Sequence, residues 1–397
     1  MLSVKGKRLL LQGASRGNLG LIKTAKQNGV YVVMTGMGGD FPCNPYADKF
    51  CYADISDPDA VLKVAQEEKV DGAIICCSDT GLRGVGRIND VMGLTGLTEE
   101  ASLNASEKSI MKERLVVAGV RTARYFTVYS EMDLKNAVAS ICYPVIIKAV
   151  DLQGSRGINI VKNPNDLIAA YYDTMSLTRK DYCLVEEYIE GKEYGAQAFV
   201  YQGRVLFVLP HGDKTIMCKT AVPIGHYMPY LIDNDLHRDT INQVEKAIAA
   251  LGLDNCAVNV DLIEKEGKAY IIELTGRVGA NCLPELVSNY YGINYYEMIL
   301  AACLGEDPTP LFDKRDRILH ATKSQMLFSE KNGTVDVIAV PEIPDCEVRL
   351  FVRPGDYVHA FTNSNDAIGE VIVRADSLQE CDKLLGEVMS RNVIRLL

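Results

Sequence analysis

Over the first 95 or so residues, short apolar runs alternate with helical stretches, and this alternation constrains the fold more than any other feature. Residues 9–12 read as a buried strand, and the glycine-rich turn 13–20 opens a helix running to Asn28. Residues 30–34 read as a second strand. Asp57-Pro58 begins a helix to about Lys69, and 72–77 reads as a third strand before a turn at Ser78-Asp79. A parallel neighbour is reached only through a crossover long enough to hold a helix, so strand, helix, strand at this spacing implies a parallel sheet with helices on its faces.

The pattern then changes. Residues 105–119 read as a helix with Ser106 as cap and Gly119 as stop. Strands at 125–128 and 144–148 flank a helix at 131–139. A polar loop at 151–157 leads to a strand at 158–161 and a helix at 165–175. From 182 to 209 the chain is rich in Val, Phe, Tyr and Leu with turn residues at 190–192 and 202–203, the signature of antiparallel hairpins. A helix at 236–251 precedes strands at 257–264 and 268–274, joined by Lys265-Glu266-Gly267. The tail from about residue 317 reads as mainly strand with a last helix near 378–389, and there is no internal repeat.

The chain of 397 residues is long enough for two or three domains at about 150 residues each. Its net charge of -10 argues against a nucleic-acid backbone as partner, which needs a surplus of Lys and Arg on one face, but allows a nucleotide met by a few local cations. The 12 cysteines include no CxxC pair and no zinc-spaced cluster with His, so they read as reduced thiols in a cytoplasmic protein. No apolar run approaches the roughly 18 residues of a membrane span, and 9–12 is too short for a signal peptide.

Some residues sit where packing alone does not explain them. The 13–20 turn follows a strand and opens a helix, and Asp40 lies 20 residues beyond Gly20, but its spacing is GxxxGxxG rather than the dinucleotide fingerprint GxGxxG. Tight turning and close helix packing account for the same glycines. Lys148 closes the apolar run Pro144-Val145-Ile146-Ile147, where a buried lysine needs an anion or an open site. The loop that follows holds Gly154, Ser155, Arg156 and Gly157, and its glycines permit backbone N–H groups to gather round an anion, although a plain hairpin uses the same residues. Between Glu186 and Glu193 there are four acids in eight residues: a solvated edge, or a strand end that offers backbone to an adenine and a carboxylate to a ribose. Asp261 and Glu273 are single acids in two apolar strands. They either alternate outward to solvent or face each other with a cation between them. His226 reads either as a substrate contact or as a hydrogen-bonded core histidine.

In this order, Lys108, Lys148, the Gly154–Gly157 loop, Glu186-Glu187-Tyr188-Ile189 with Glu193, Asp261 and Glu273 resemble the ATP-grasp superfamily, over roughly residues 1 to 390. Within it the chain is similar to carboxylate–amine ligases of the L-amino-acid ligase kind and to the carbamoyl-phosphate synthetase and biotin carboxylase branch. The resemblance implies an α/β and α+β molecule: a preATP-grasp, Rossmann-like domain at 1–104, an ATP-grasp domain at 105–310 with a small lid at about 122–190, and a mainly β C-terminal domain at 311–397. It implies ATP with magnesium or manganese as cofactors. It places phosphates on Lys108, Lys148 and the loop with Gly154, Ser155, Arg156 and Gly157. Adenine falls against Glu186, Glu187, Tyr188 and Ile189, ribose on Glu193, the metal on Asp261 and Glu273, and an acyl phosphate before Arg277. Many members carry Asn where this chain has Thr275, so Thr275 and His226 are left as candidates for substrate contact.

The implied reaction activates a small-molecule carboxylate with ATP and passes it to an amine. No nucleic acid or membrane partner is expected, and a homodimer is the assembly the reading allows. Two alternatives stay open: a purine-type ribotide ligase or formyl-phosphate transferase, whose sugar phosphate would need cations such as Arg16, Arg83 and Arg87, and a nucleotide-binding protein without ligase activity.

Overall fold

A computed structural model describes residues 2–152, 157–218, 221–231, 234–316, 318–391 and 393–397. The N-terminal sheet has four parallel strands in the order Lys49–Tyr52, Tyr31–Gly36, Arg8–Gln12, Gly72–Ile74. Leu9, Leu10 and Leu11 are fully buried, so both faces are covered, as a parallel sheet requires. The outer strand Lys49–Tyr52 has no clear apolar run and was not among the expected elements. The strand expected at 72–77 ends at Ile74, and Cys77 turns with φ of 59° to present the Ser78-Asp79 segment at the carboxyl end of the sheet.

The single helix expected over 105–119 is two helices. Glu99–Ser106 is capped by Thr98, whose side chain accepts from the Ala101 N–H, and Lys108–Val117 starts afresh after an extended Glu107. Ser106 therefore ends a helix instead of capping one, and Lys108 stands at a helix start.

A second sheet, ordered Tyr125–Val128, Cys183–Glu187, Val145–Lys148, Ile158–Val161, is antiparallel and carries the helices Glu131–Val138 and Leu167–Leu177. Its core gathers Val128, Leu134, Ile147, Val185 and Tyr171.

The third sheet has eight strands in the order Lys268–Thr275, Cys256–Lys265, Lys192–Tyr201, Arg204–Met217, Ala221–Met228, Ala321–Leu327, Gly369–Ala375, Cys346–Leu350. Two of its hairpins close with the loops Gln202-Gly203 and Glu266-Gly267. All four loop residues have positive φ, the two-residue geometry whose twist matches antiparallel strands. Helix Asp235–Leu251 buries Val244, Ala247, Ile248 and Leu251 beneath this sheet. A small sheet of Tyr357–Val358, Gly333–Ala339 and Val393–Leu396 completes the fold. No helix among the described residues is long and apolar enough to cross a membrane.

Candidate active site

Helix Lys108–Val117 and the second sheet meet over a cluster of buried charge. Glu186, 3% exposed, lies between Lys148 Nζ at 2.6 Å and Lys112 Nζ at 3.2 Å. Lys112 is fully buried and also donates to Thr122 Oγ1 at 2.6 Å. Burial pushes the Lys112 ammonium down to about 8 even though Glu186 opposes the shift. Burial would raise the Glu186 carboxyl, but the two lysines outweigh it and hold it below its ordinary value. Two cations on one anion leave a net positive charge in a nearly dry site, an arrangement that favours a further anion. Lys112 escaped the sequence reading. Its only signal was its place one helical turn beyond Lys108.

The chain then leaves the second sheet. Glu187 lies half-buried, 3.7 Å from Lys265 Nζ. The Tyr188 N–H donates to the Pro144 carbonyl, and Ile189 is buried against Ala123, Ile263, Tyr270 and Ile272. Glu193, one residue into strand Lys192–Tyr201, has its carboxyl raised by burial and by the charge of Asp213. Gly157 has φ of 68°, and its carbonyl accepts from the Ala149 N–H. Gly154, Ser155 and Arg156 lie outside the described residues.

Asp261 and Glu273 are direct partners in the register of strands Cys256–Lys265 and Lys268–Thr275, so both point to the same face of the sheet. Lys108 Nζ reaches both oxygens of Glu273, at 2.9 and 3.0 Å. Burial would lower the Lys108 ammonium, but Glu273 outweighs it and leaves it raised. Among the described residues Asp261 has no such contact, although the charge of Arg277 acts on it. The Asp261 side chain is exposed, yet the protein packed round its carboxyl, with Glu273 opposite, pushes that carboxyl up to about 7. Behind it, the fully buried Gln197 donates to Asn259 Oδ1 at 2.6 Å, and Asn259 donates to Asp261 Oδ1 at 3.3 Å. Gln197 Oε1 also accepts from the Gly279 N–H at 3.0 Å, tying the loop after Glu273 to the acid pair.

That loop carries Arg277, which reaches back to the N-terminal sheet. Its Nε and Nη2 donate to the two oxygens of Asp79 at 2.8 and 3.1 Å, and Thr275 Oγ1 donates to Asp79 Oδ1 at 2.8 Å. Thr275 is 3% exposed. Burial alone would lower the Arg277 guanidinium, yet Asp79 outweighs it and holds it raised; burial would raise the Asp79 carboxyl, yet Arg277 holds it lowered. Asp79 was read only as a turn residue. The signal that marks it is its position just past the carboxyl end of a parallel strand, where open α/β sheets receive ligands. His226 is 5% exposed and bonds through Nδ1 to Asp213 Oδ1 at 2.6 Å.

The N-terminal glycine turn serves packing. A Cβ at Gly20 would fall 2.2 Å from Cζ of Tyr296, so helix Leu19–Gln27 lies against helix Tyr295–Cys303 only with glycine there.

Two family models match the chain: an ATP-grasp domain over residues 141–285 and the L-amino acid ligase C-terminal domain 2 over residues 325–396. Among solved structures, a phosphoribosylglycinamide synthetase from Anaerococcus prevotii is 45% identical, with a TM-score of 0.88 over 99% of this chain and 100% of the other. An L-amino acid ligase from Bacillus licheniformis superposes with a TM-score of 0.83 at 18% identity over 99% of each chain. Alanine–anticapsin ligase of Bacillus subtilis (strain 168) is 23% identical over 72% of this chain, and the match spans 67% of its length. Another curated relative, from Sinorhizobium fredii, is spanned over 63% of its length. The chain belongs to the ATP-grasp family of ligases.

Proposed function

We propose that the chain is an ATP- and magnesium-dependent ligase that converts a small-molecule carboxylate to an acyl phosphate and joins it to an amine. The observation that carries this reading is the pairing of Asp261 with Glu273 on one sheet face, with Lys108 reaching across to it from the lysine-bearing helix. Carboxylates placed opposite each other repel unless a cation lies near, and among the described residues Asp261 has no cation in ion-pair contact, with Arg277 acting on it only at longer range. Magnesium prefers one or two carboxylates with phosphate oxygens and water; manganese accepts the same hard oxygen donors. Bound there, the ion supplies neutralisation of charge on the phosphate oxygens.

The chain's own residues do the rest. Lys108 and Lys148 hold phosphates, each giving up the carboxylate it now pairs with. Lys112 stays on Glu186 and keeps that carboxylate placed for the adenine amino group. Tyr188 and Ile189 line the adenine slot, and Glu193 takes ribose hydroxyls. Arg277, aimed by Asp79, braces the oxyanion that forms when the amine attacks, because its planar fork matches carboxylate and phosphate oxygens. In this reading 1–104, 105–310 and 311–397 act as three domains of a cytoplasmic enzyme, and a homodimer is compatible with it.

The C-terminal match to L-amino acid ligases supports an amino acid as the carboxylate or amine. The 45% identity to a protein named for a ribotide product supports a second reading, with a ribotide amine. Of the cations such a phosphate would use, Arg87 is engaged by Glu99 at 3.1 Å and Asp59 at 3.4 Å, and Arg16 is stacked on Phe351. Arg83, the third, has no ion-pair partner among the described residues, so it is the C-terminal match that favours the amino acid. A phosphate-release screen with ATP, magnesium and pools of amino acids, bicarbonate and ribotides tests both. Release only with ribotides reverses the preference, and no release with any carboxylate and amine sinks the ligase reading. Glu273→Gln should abolish magnesium-dependent release while leaving the fold intact.

A further inference from the structure

Beside Glu193 lies a cluster that this reaction leaves unused. Strand Arg204–Met217 carries His211 and Asp213, and strand Ala221–Met228 places His226 opposite Asp213. The imidazoles are 2% and 5% exposed. Both direct Nδ1 at the same atom, Asp213 Oδ1, at 2.9 and 2.6 Å. A carboxylate accepts and does not donate, so both Nδ1 atoms carry hydrogen, and neither Nε2 atom takes part in the contact. Those Nε2 atoms are buried with no hydrogen-bond partner among the described residues.

The ligand atoms of this trio lie within 4.8 Å of one another, close enough to raise the question of a metal. Coordination through both Nδ1 atoms would force hydrogen onto both buried Nε2 atoms. A metal-bound histidine normally donates that second N–H to an acceptor, and neither ring has one here. The object of the cluster is Asp213 itself: one oxygen is fixed by two donors, and the other is left for a ligand. Burial would raise its carboxyl, but the two imidazoles outweigh it and keep it ionised.

The register locates that ligand. His211 pairs with Gly195, and Gly195 pairs with Asp261. Two residues on, Asp213 comes level with Glu193, and the two carboxyl groups act on each other. Gly195 makes this possible, because a Cβ there would fall 2.3 and 2.4 Å from Cε1 and Nε2 of His211. Two neighbouring acceptors suit a vicinal diol, which presents two O–H donors side by side.

We propose that Asp213, positioned by His211 and His226, completes a diol site with Glu193, each carboxylate accepting one ribose hydroxyl of ATP. The proposal rests on the reading of Glu193 as the ribose contact. It makes Asp213 a determinant of ribose over dideoxyribose.

Binding of ATP and of 2′,3′-dideoxy-ATP is measured by calorimetry on the wild type, Asp213→Asn, His226→Asn and His226→Ala, with thermal unfolding to confirm that each is folded. Losing a charge-assisted acceptor should weaken ATP about tenfold in Asp213→Asn and leave dideoxy-ATP unchanged. His226→Asn keeps a donor near the place of Nδ1 and should retain most of the ATP affinity that His226→Ala loses. Equal weakening of both nucleotides in Asp213→Asn, or of neither, overturns the diol site. So does stoichiometric zinc in the wild type that Asp213→Asn lacks. A wild type that binds both nucleotides equally defeats the diol site while the ligase reading stands; one that binds neither defeats both.

Discussion

Arg277 and Asp79 are 198 residues apart in sequence and meet in a two-pronged ion pair that joins the loop after the acid pair to the carboxyl end of the N-terminal sheet. One carboxylate both orients the guanidinium and receives the Thr275 hydroxyl. Arg277→Lys keeps the charge and loses the fork, so substrate-stimulated ADP release should fall by roughly a hundredfold with ATP affinity intact. Asp79→Ala strands the guanidinium in a mostly buried site and should cost about 3 kcal/mol of stability in urea titrations. Joint loss of ATP binding and turnover in Arg277→Lys would mean a disturbed nucleotide site instead.

Asp261 gives the molecule a pH signature near neutrality. Its carboxyl is raised to about 7 from 3.8, so the folded state binds the extra proton between those values. The stabilisation is complete below pH 4 and is lost as pH rises through 7. Without nucleotide or metal, Asp261→Asn should therefore be more stable than the wild type at pH 8 and similar at pH 5, with a gap on the order of 1 kcal/mol because solvent screens the group. Magnesium binding at pH 6.5 should release protons from the wild type and not from Asp261→Asn, as calorimetry in buffers of different ionisation enthalpy would show.

Lys112 is the buried lysine with the most to lose. Replacing it by Met leaves Glu186 with one cation in place of two, and unfolding should be easier by about 3 kcal/mol. The folded pKa of about 8 lies below the ordinary 10.5, so the unfolded chain binds more protons between them. Wild-type stability should then rise relative to Lys112→Met as pH climbs from 8 to 10, and a constant gap would refute the assignment.

Gly20→Ala tests the packing role of the glycine turn. Tyr296 is held by its hydroxyl on Glu285 at 3.0 Å, so its ring has little room to yield. Overpacking should lower the denaturant midpoint by the equivalent of about 1–3 kcal/mol. An unchanged midpoint would mean that the two helices part without cost.

What could be read in advance depended on how local the signal was. Lys148 stood out because it closes an apolar run, and Glu273 because it interrupts one. The two-residue turns at Gln202-Gly203 and Glu266-Gly267 carry their own backbone chemistry. Lys112 looked like an ordinary solvated lysine because its partner Glu186 is 74 positions away on another sheet. Asp79 was missed because its partner comes from the loop after another sheet, and of the Asp213 cluster only His226 was marked, because strand register, not spacing, brings its partners in. The break at Glu107 was missed because the apolar rhythm runs straight through it, and only the extended backbone of Glu107, with no side-chain cap, divides the helices.

The eight-stranded sheet also sets where the molecule is stiff. Its strands are bonded neighbour to neighbour from the acid pair, through Tyr227 and Met228 against Lys323 and Thr322, to the seven pairs joining Ala321–Leu327 with Gly369–Ala375. Sliding the C-terminal part past the acids would shear main-chain bonds, so the two behave as one frame. The sheet bearing Lys148 shares no rung with that frame among the described residues. Just before its first strand, the chain touches the frame at the bridge of Thr122 to Ile271. The acids are thus held by main-chain rungs of the frame, whereas Lys148 and Glu186 are tied to it by that bridge, by ion pairs such as Lys265 with Glu187, and by the chain itself.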